Sequence, residues 1–170
     1  MDLHEALRVA CNLIKVTSYL EIGVDGGGSL NTVLCEVVPP RIVLCDIWDP
    51  KYCDHGDAKP HVLNILKHFK AQAEFLDGDS KLRIPTLLDK FDLVLVDGDH
   101  SEEGARTDLY NAWPLVRPGG ILVMDDINHP NYPWLEQVWQ SALQRWGWVG
   151  AERIEELHGG CNAAMVMKTT

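Results

Sequence analysis

Basic residues are scarce in this chain. Lys and Arg number 15 against 25 Asp and Glu, for a formal net charge of −10. That balance argues against nucleic acid as a partner, because its binding rests on cationic side chains neutralising phosphates. It argues equally against anionic membrane surfaces. No apolar run approaches the ~20 residues needed to cross a bilayer. The N-terminal MDLHEALRVACNLIK is an amphipathic helix pattern and lacks the basic start and long apolar centre of a secretory signal. The five cysteines (11, 35, 45, 53, 161) form no C-x-x-C. Cys11, Cys35 and Cys45 sit in apolar segments and read as small core residues, so a reducing compartment is expected. There is no internal repeat, low-complexity tract or linker. A single domain over 1–170 is expected, a cytoplasmic enzyme or binding protein acting on a small molecule.

What the chain does have is alternation. Residues 2–15 look helical, and 18–23 read as a strand followed by a glycine-rich turn. A helix over 29–37 is ended by Pro39-Pro40. Further strands fall at 41–45, 73–76, 93–96 and 121–124. The helices between and after them fall at 60–70, 81–88, 101–116 and 133–146. Residues 149–154 and 163–168 are the last two strands, with about eight residues between them, too few for a helical crossover, so they should pair antiparallel. The expected architecture is α/β: a seven-stranded, mostly parallel sheet with a C-terminal antiparallel hairpin and helices on both faces. The polar loop over 46–59 lies on the edge where such sheets bind ligands. Trp139, Trp146 and Trp148 read as core or interface.

The stretch FDLVLVDGDHSEEGARTDLYNAWPLVRPGGILVMDDIN, residues 91–128, is the most informative. Two apolar strands each end in acids, Asp97 and Asp99 after one, Asp125 and Asp126 after the next. Neighbouring parallel strands point their C-terminal ends the same way. Four carboxylates therefore converge on one edge, which calls for a compensating cation or cationic ligand.

YLEIGVDGGGS, residues 19–29, is a strand, a glycine turn and a helix start with Ser29 as candidate N-cap. The spacing does not fit the G-x-G-x-x-G dinucleotide fingerprint, and no lysine is placed for a P-loop. Glu21 and Asp25 flank the turn, which suits a ligand carrying an amino group; a plain tight turn is the other reading. Asp46, ending the second strand, can accept both hydroxyls of a ribose. Asp77-Gly78-Asp79-Ser80 can meet an adenine edge, with helix capping the second reading of Ser80.

Together these motifs resemble class I S-adenosylmethionine-dependent methyltransferases. YLEIGVDGGGS resembles their first motif, CDIWD their ribose acid, and FLDGDS their adenine-side turn. LVDGDHSEEG and PGGILVMDDIN resemble the macrocin-type, cephalosporin-hydroxylase-like small-molecule O-methyltransferases. The resemblance implies a Rossmann-like sheet. It implies cofactor contacts from Glu21, Gly23, Val24, Gly26, Gly27, Ser29, Asp46, Ile47, Gly78, Asp79, Ser80 and Asp97. It also implies a divalent cation, usually Mg2+, on Asp97, Asp125 and Asp126. The first motif departs from the family pattern in carrying Asp25 where glycine is commoner. Only one helix precedes the first strand, so any lid must come from loops or from a second subunit, and a homodimer is plausible on that ground.

Methyl transfer to oxygen needs a deprotonated nucleophile aligned with the donor sulfonium. His100 and Asp99 are the candidate proton acceptors. His100 has the pKa for work near neutrality, and Asp99 would need a pKa raised by its crowded carboxylate neighbours. His129, Tyr132 and Trp134 either wall the substrate or pack a loop. Cys53, His55 and His61 lack tight zinc spacing, and His158-Gly159-Gly160 reads as a hairpin turn. Two alternatives are carried: a haloacid-dehalogenase-like phosphohydrolase using Asp97-Gly98-Asp99, and a non-catalytic nucleoside-binding module.

Overall fold

Helices and strands alternate along the chain in a computed structural model that describes residues 2–51, 58–147, 151–153 and 163–169. Cys53, His55, Trp148, Cys161, the His158-Gly159-Gly160 turn and part of the loop after the second strand lie outside the described residues. The elements are α1 (Leu3–Leu13), β1 (Ser18–Ile22), α2 (Gly28–Glu36), β2 (Arg41–Asp46), α3 (Ala58–Phe69), β3 (Glu74–Asp77) and α4 (Ser80–Arg83). They continue with β4 (Phe91–Val96), α5 (Glu102–Ala112), β5 (Val116–Met124), α6 (Trp134–Gly147), β6 (Ala151–Arg153) and β7 (Ala164–Lys168). The sheet order is β3-β2-β1-β4-β5-β7-β6. β1 to β5 run parallel, and β7 is antiparallel to both β5 and β6.

The central strands are apolar on both sides because helices cover both faces. Leu20, Ile22, Val94, Val96 and Leu122 face Leu109, Leu135, Val138 and Trp139. Tyr19, Leu93, Leu95, Ile121 and Val123 face the other way, toward Leu7, Ala10, Leu30 and Val33. Each large side chain so buried contributes roughly 1.5–3 kcal/mol. Trp139 and Trp146 are buried as expected. Cys35, expected inside, is exposed on α2. Among the described residues no helix is long and apolar enough to cross a membrane.

Prolines shorten two expected helices. The one expected over 81–88 stops at Arg83 and passes into a 3₁₀ turn, Ile84–Thr86, that contains Pro85. The one over 101–116 ends at Ala112 before a 3₁₀ turn with Pro114. Pro118-Gly119-Gly120 lies inside β5, where the register against β4 shifts between Phe91 and Leu93.

The N-terminal edge of the sheet is laced by one carboxylate. Asp92 Oδ2 accepts the Thr17 amide (2.8 Å) and hydroxyl (2.6 Å) and the Ser18 amide (3.0 Å) and hydroxyl (3.1 Å), and Oδ1 takes Arg117 at 2.6 Å. The strand order turns back between β1 and β4, and the opposite, C-terminal edge at that switch point is where open α/β sheets hold ligands.

Candidate functional site

Gly23 leaves β1 with φ +83°, and a Cβ there would lie 1.9 Å from the Asp97 carbonyl oxygen. Only glycine lets the turn pass that close to β4. Gly27, at φ +80°, is the N-cap of α2, so Ser29 is not the cap. Ser29 instead donates its hydroxyl to Glu21 Oε1, and Tyr19 donates to Oε2 at 2.9 Å. Glu21 has no exposure. Both of its oxygens are engaged beneath the turn, and it does not face the cleft.

Burial pushes the Glu21 carboxyl up to about 8 against an ordinary 4.5. Between those two values the unfolded chain ionises Glu21 while the native protein keeps its proton. Stability therefore falls as pH rises through that window, by an amount on the order of 3–5 kcal/mol. Glu21→Gln should remove this loss. Urea melts of variant and wild type should diverge in the variant's favour from pH 5 to pH 9, and parallel pH profiles would rule the buried proton out.

Beside the turn, Asp46 Oδ2 accepts the amides of Val24 (2.7 Å) and Asp25 (3.1 Å), while Oδ1 accepts that of Trp48 (2.6 Å). Trp48 adopts φ +54°, unusual for a bulky residue. Its indole N–H reaches Asp77, which also holds Lys59. Asp79 caps α4 by accepting the Lys81 amide, so Ser80 is not the cap either. The Ser80 hydroxyl goes to Asp108 instead.

These elements surround a cleft of about 870 Å³. Gly23, Val24, Asp46, Ile47, Gly78, Asp79, Ser80 and Asp97 line it, whereas Glu21, Gly26, Gly27 and Ser29 are not among its lining residues. All four acids after β4 and β5 reach it, with His100 among them. His100 Nε2 lies 3.0 Å from Asp126 Oδ2 and 3.5 Å from Asp97 Oδ1. Hydrogen bonds donated to Asp126 and Asp97 raise the imidazole to about 10. In this pairing the imidazole holds its proton more tightly than the near-neutral group expected from its ordinary value. Burial raises Asp97. Burial and then the Asp97 charge push Asp125 up to about 7.

Asp99 also departs from expectation. Burial pushes its carboxyl up, but Lys81 at 2.9 Å and the Ser101 amide outweigh that and hold it below the usual carboxylate range. The expected raised pKa is absent because a lysine that carries no motif, Lys81, faces it.

Tyr132 stacks on His100 with ring centroids 4.9 Å apart and on His129 at 4.8 Å. Tyr132 and Trp134 also line the cleft described above, so packing the loop and walling the cleft are met by the same rings. Trp134 donates its indole N–H to the His100 carbonyl at 2.8 Å. These rings tie the loop after β5 to the loop after β4.

One oxygen each of Asp97 and Asp126 and a ring nitrogen of His100 lie within 4.8 Å of one another. Asp125 Oδ1 is buried and has no hydrogen-bond partner among the described residues. Carboxylate oxygens beside an imidazole are a donor set that fits a divalent cation.

The profile of a family described as "Methyltransferase domain" matches residues 20–127. The mycinamicin VI 2''-O-methyltransferase of Micromonospora griseorubida is 33% identical over 115 residues, 64% of this chain and 26% of that protein. The demethylmacrocin O-methyltransferase of Streptomyces fradiae is 46% identical over 37 residues, 22% of this chain and 9% of that protein. The chain thus spans about a quarter or less of the length of these relatives. Among solved structures, the N-methyltransferase NodS of Bradyrhizobium japonicum, in complex with S-adenosyl-L-homocysteine, superposes with a TM-score of 0.69 at 16% identity, covering 98% of this chain and 86% of NodS. That likeness carries the fold alone, a Rossmann-like α/β sheet. On the extent of the family match, the chain belongs to the methyltransferase domain family.

Proposed function

We propose that this chain is an S-adenosylmethionine-dependent O-methyltransferase acting on a small hydroxylated molecule, a sugar or glycoside hydroxyl before a catechol. The observation that carries this reading is the single cleft in which the glycine turn, Asp46 and the acids after β4 and β5 meet. The sugar preference is supported by the names of the relatives, one a 2''-O-methyltransferase and a structural neighbour a TDP-rhamnose 3'-O-methyltransferase at 17% identity and a TM-score of 0.70.

In this reading the methyl donor lies over the glycine turn. Asp46 accepts the ribose hydroxyls with a carboxylate already oriented by three amides. The Gly78–Ser80 turn borders the base. Asp97, Asp125 and Asp126 would hold a divalent cation, magnesium by the chemistry of oxygen donors. Such an ion, when bound, lowers the pKa of a hydroxyl that it ligates. His100 is the proposed general base, at Nε2. It serves only once its own proton is gone, and its present pairing with Asp97 and Asp126 opposes that loss. Asp99, held low by Lys81, is the weaker candidate. The whole chain is read as one domain, and a homodimer is proposed as a source of cover for the cleft.

The test is calorimetry with S-adenosylmethionine, with and without magnesium. It is followed by release of S-adenosylhomocysteine in the presence of TDP-sugars and glycosylated macrolides. Binding in the micromolar range, about −7 to −8 kcal/mol, is expected, with turnover lost on adding a chelator. No binding at millimolar donor would end the reading. Turnover indifferent to chelation would remove the cation alone. The phosphohydrolase alternative is set aside by the family match. A non-catalytic module would bind the donor and never turn it over.

A further inference from the structure

Asp108 is a buried acid that the proposed chemistry does not use. It lies on α5 in the buried stripe formed with Gly104, Ala105, Leu109 and Ala112, and has no exposure. An acid in such a stripe is costly where Asn or Ala would not be. Its Oδ1 accepts the Ser80 hydroxyl at 2.7 Å. Its Oδ2 has no hydrogen-bond partner among the described residues and is packed under the β4 turn, where a Cβ on Gly98 would lie 3.0 Å away. Ser80 thus holds one of the two carboxylate oxygens. Ser80 in turn lines the cleft.

We propose that Asp108 sets the hydrogen-bonding polarity of Ser80, so that the cleft favours a base bearing an exocyclic amino group. A hydroxyl carries one proton. Ser80 gives its proton to a group that, when ionised, only accepts. What Ser80 presents to the cleft is then lone pairs, which receive an N–H and repel a carbonyl oxygen. Adenine offers the amino group at that edge and hypoxanthine a carbonyl. Asparagine at 108 would break the constraint, because its amide can also donate and lets the serine proton turn toward the ligand. This inference rests on the nucleoside reading above, since it concerns the base of the same donor.

The experiment is calorimetry on the full chain with S-adenosylhomocysteine and S-inosylhomocysteine at pH 8, above the value of about 6 to which burial raises the Asp108 carboxyl. Wild type, Asp108→Asn and Ser80→Ala are compared, with near-ultraviolet circular dichroism as the folding check. Wild type should prefer the adenosyl compound by about tenfold, the scale of one hydrogen bond gained or lost. Asp108→Asn should narrow that to within about threefold, and Ser80→Ala should do the same. If Asp108→Asn keeps the full preference while Ser80→Ala loses it, Asp108 does not set the polarity. If Ser80→Ala keeps it, Ser80 does not read the base, and that arm decides even where Asp108→Asn fails to fold. Wild type binding neither compound would remove the nucleoside reading and this inference together. Wild type binding both equally would remove the inference alone.

Discussion

Alanine at position 23 should cost the fold at least about 3 kcal/mol and abolish donor binding. Two independent effects act together. The residue leaves β1 at φ +83°, which no alanine adopts without strain. Its new methyl would also sit 1.9 Å from the Asp97 carbonyl oxygen, well inside contact distance. The neighbour that must move is backbone, and it belongs to the turn that carries Asp97, Asp99 and His100. That turn is anchored by the Asp97 amide on the Ile22 carbonyl at 2.8 Å, and Gly23 itself donates to the Cys45 carbonyl at 2.9 Å. Relief of the clash therefore means parting β1 from β4 at the cleft. Urea melts and calorimetry with S-adenosylmethionine read the two losses separately. A variant with wild-type stability and affinity would show that the turn is far softer than its packing implies.

Asp92→Ala should destabilise the protein by roughly 3–5 kcal/mol and lower Tm by about 10 °C for a chain of this size. Five donors converge on this carboxylate from the residues around β1 and from Arg117 on β5. Removing it leaves the Thr17 and Ser18 amides without their acceptor and Arg117 without its anion. The effect has a pH signature. Burial pushes the Asp92 carboxyl up, but the Thr17 and Ser18 donors and Arg117 outweigh burial and hold it below 3.8. The stabilisation is thus complete above the unfolded value and lost as pH falls through the folded one. Thermal melts of variant and wild type should be far apart at pH 7 and draw together in acid. Donor affinity measured below the melting range should be unchanged, since Asp92 lies at the other end of the sheet. A difference in Tm that persists undiminished in acid would show that the ionised carboxylate is not what joins the strands.

Much of this molecule was legible in its residues because apolar runs and their spacing are local signals. The parallel strands leading into Asp97 and Asp125 follow from the four-residue apolar runs 93–96 and 121–124 and from the helices between the strands. The convergence of four acids follows from parallel direction alone. What the sequence concealed was side-chain partnership across long separations. Ser29 and Ser80 both stand where a cap belongs, yet each hydroxyl is drawn to a buried carboxylate, Glu21 or Asp108. The caps fall to Gly27 and Asp79. The pKa values of His100 and Asp99 reversed expectation for the same reason. His100 faces Asp126 as well as its neighbour Asp97, and Asp99 faces Lys81, and the pairings with Asp126 and Lys81 are not visible in a motif. Asp108 did leave a trace: it is the charged residue at the centre of a helical stripe otherwise built of glycine, alanine and leucine.

The cleft is shared by segments remote in the chain. The turn at Gly23 leans on the carbonyl of Asp97, and Thr17 and Ser18 are fastened to Asp92, each pair more than seventy residues apart in order of synthesis. Such pairings form only after a long loop has closed, which makes them slow to arise and entropically demanding. A nascent chain that has not yet emerged past Val96 would carry every glycine of the first motif and still have no wall for a ligand to rest against. Competence for binding should therefore arrive late and all at once as the protein folds, rather than growing by degrees from its N-terminal half.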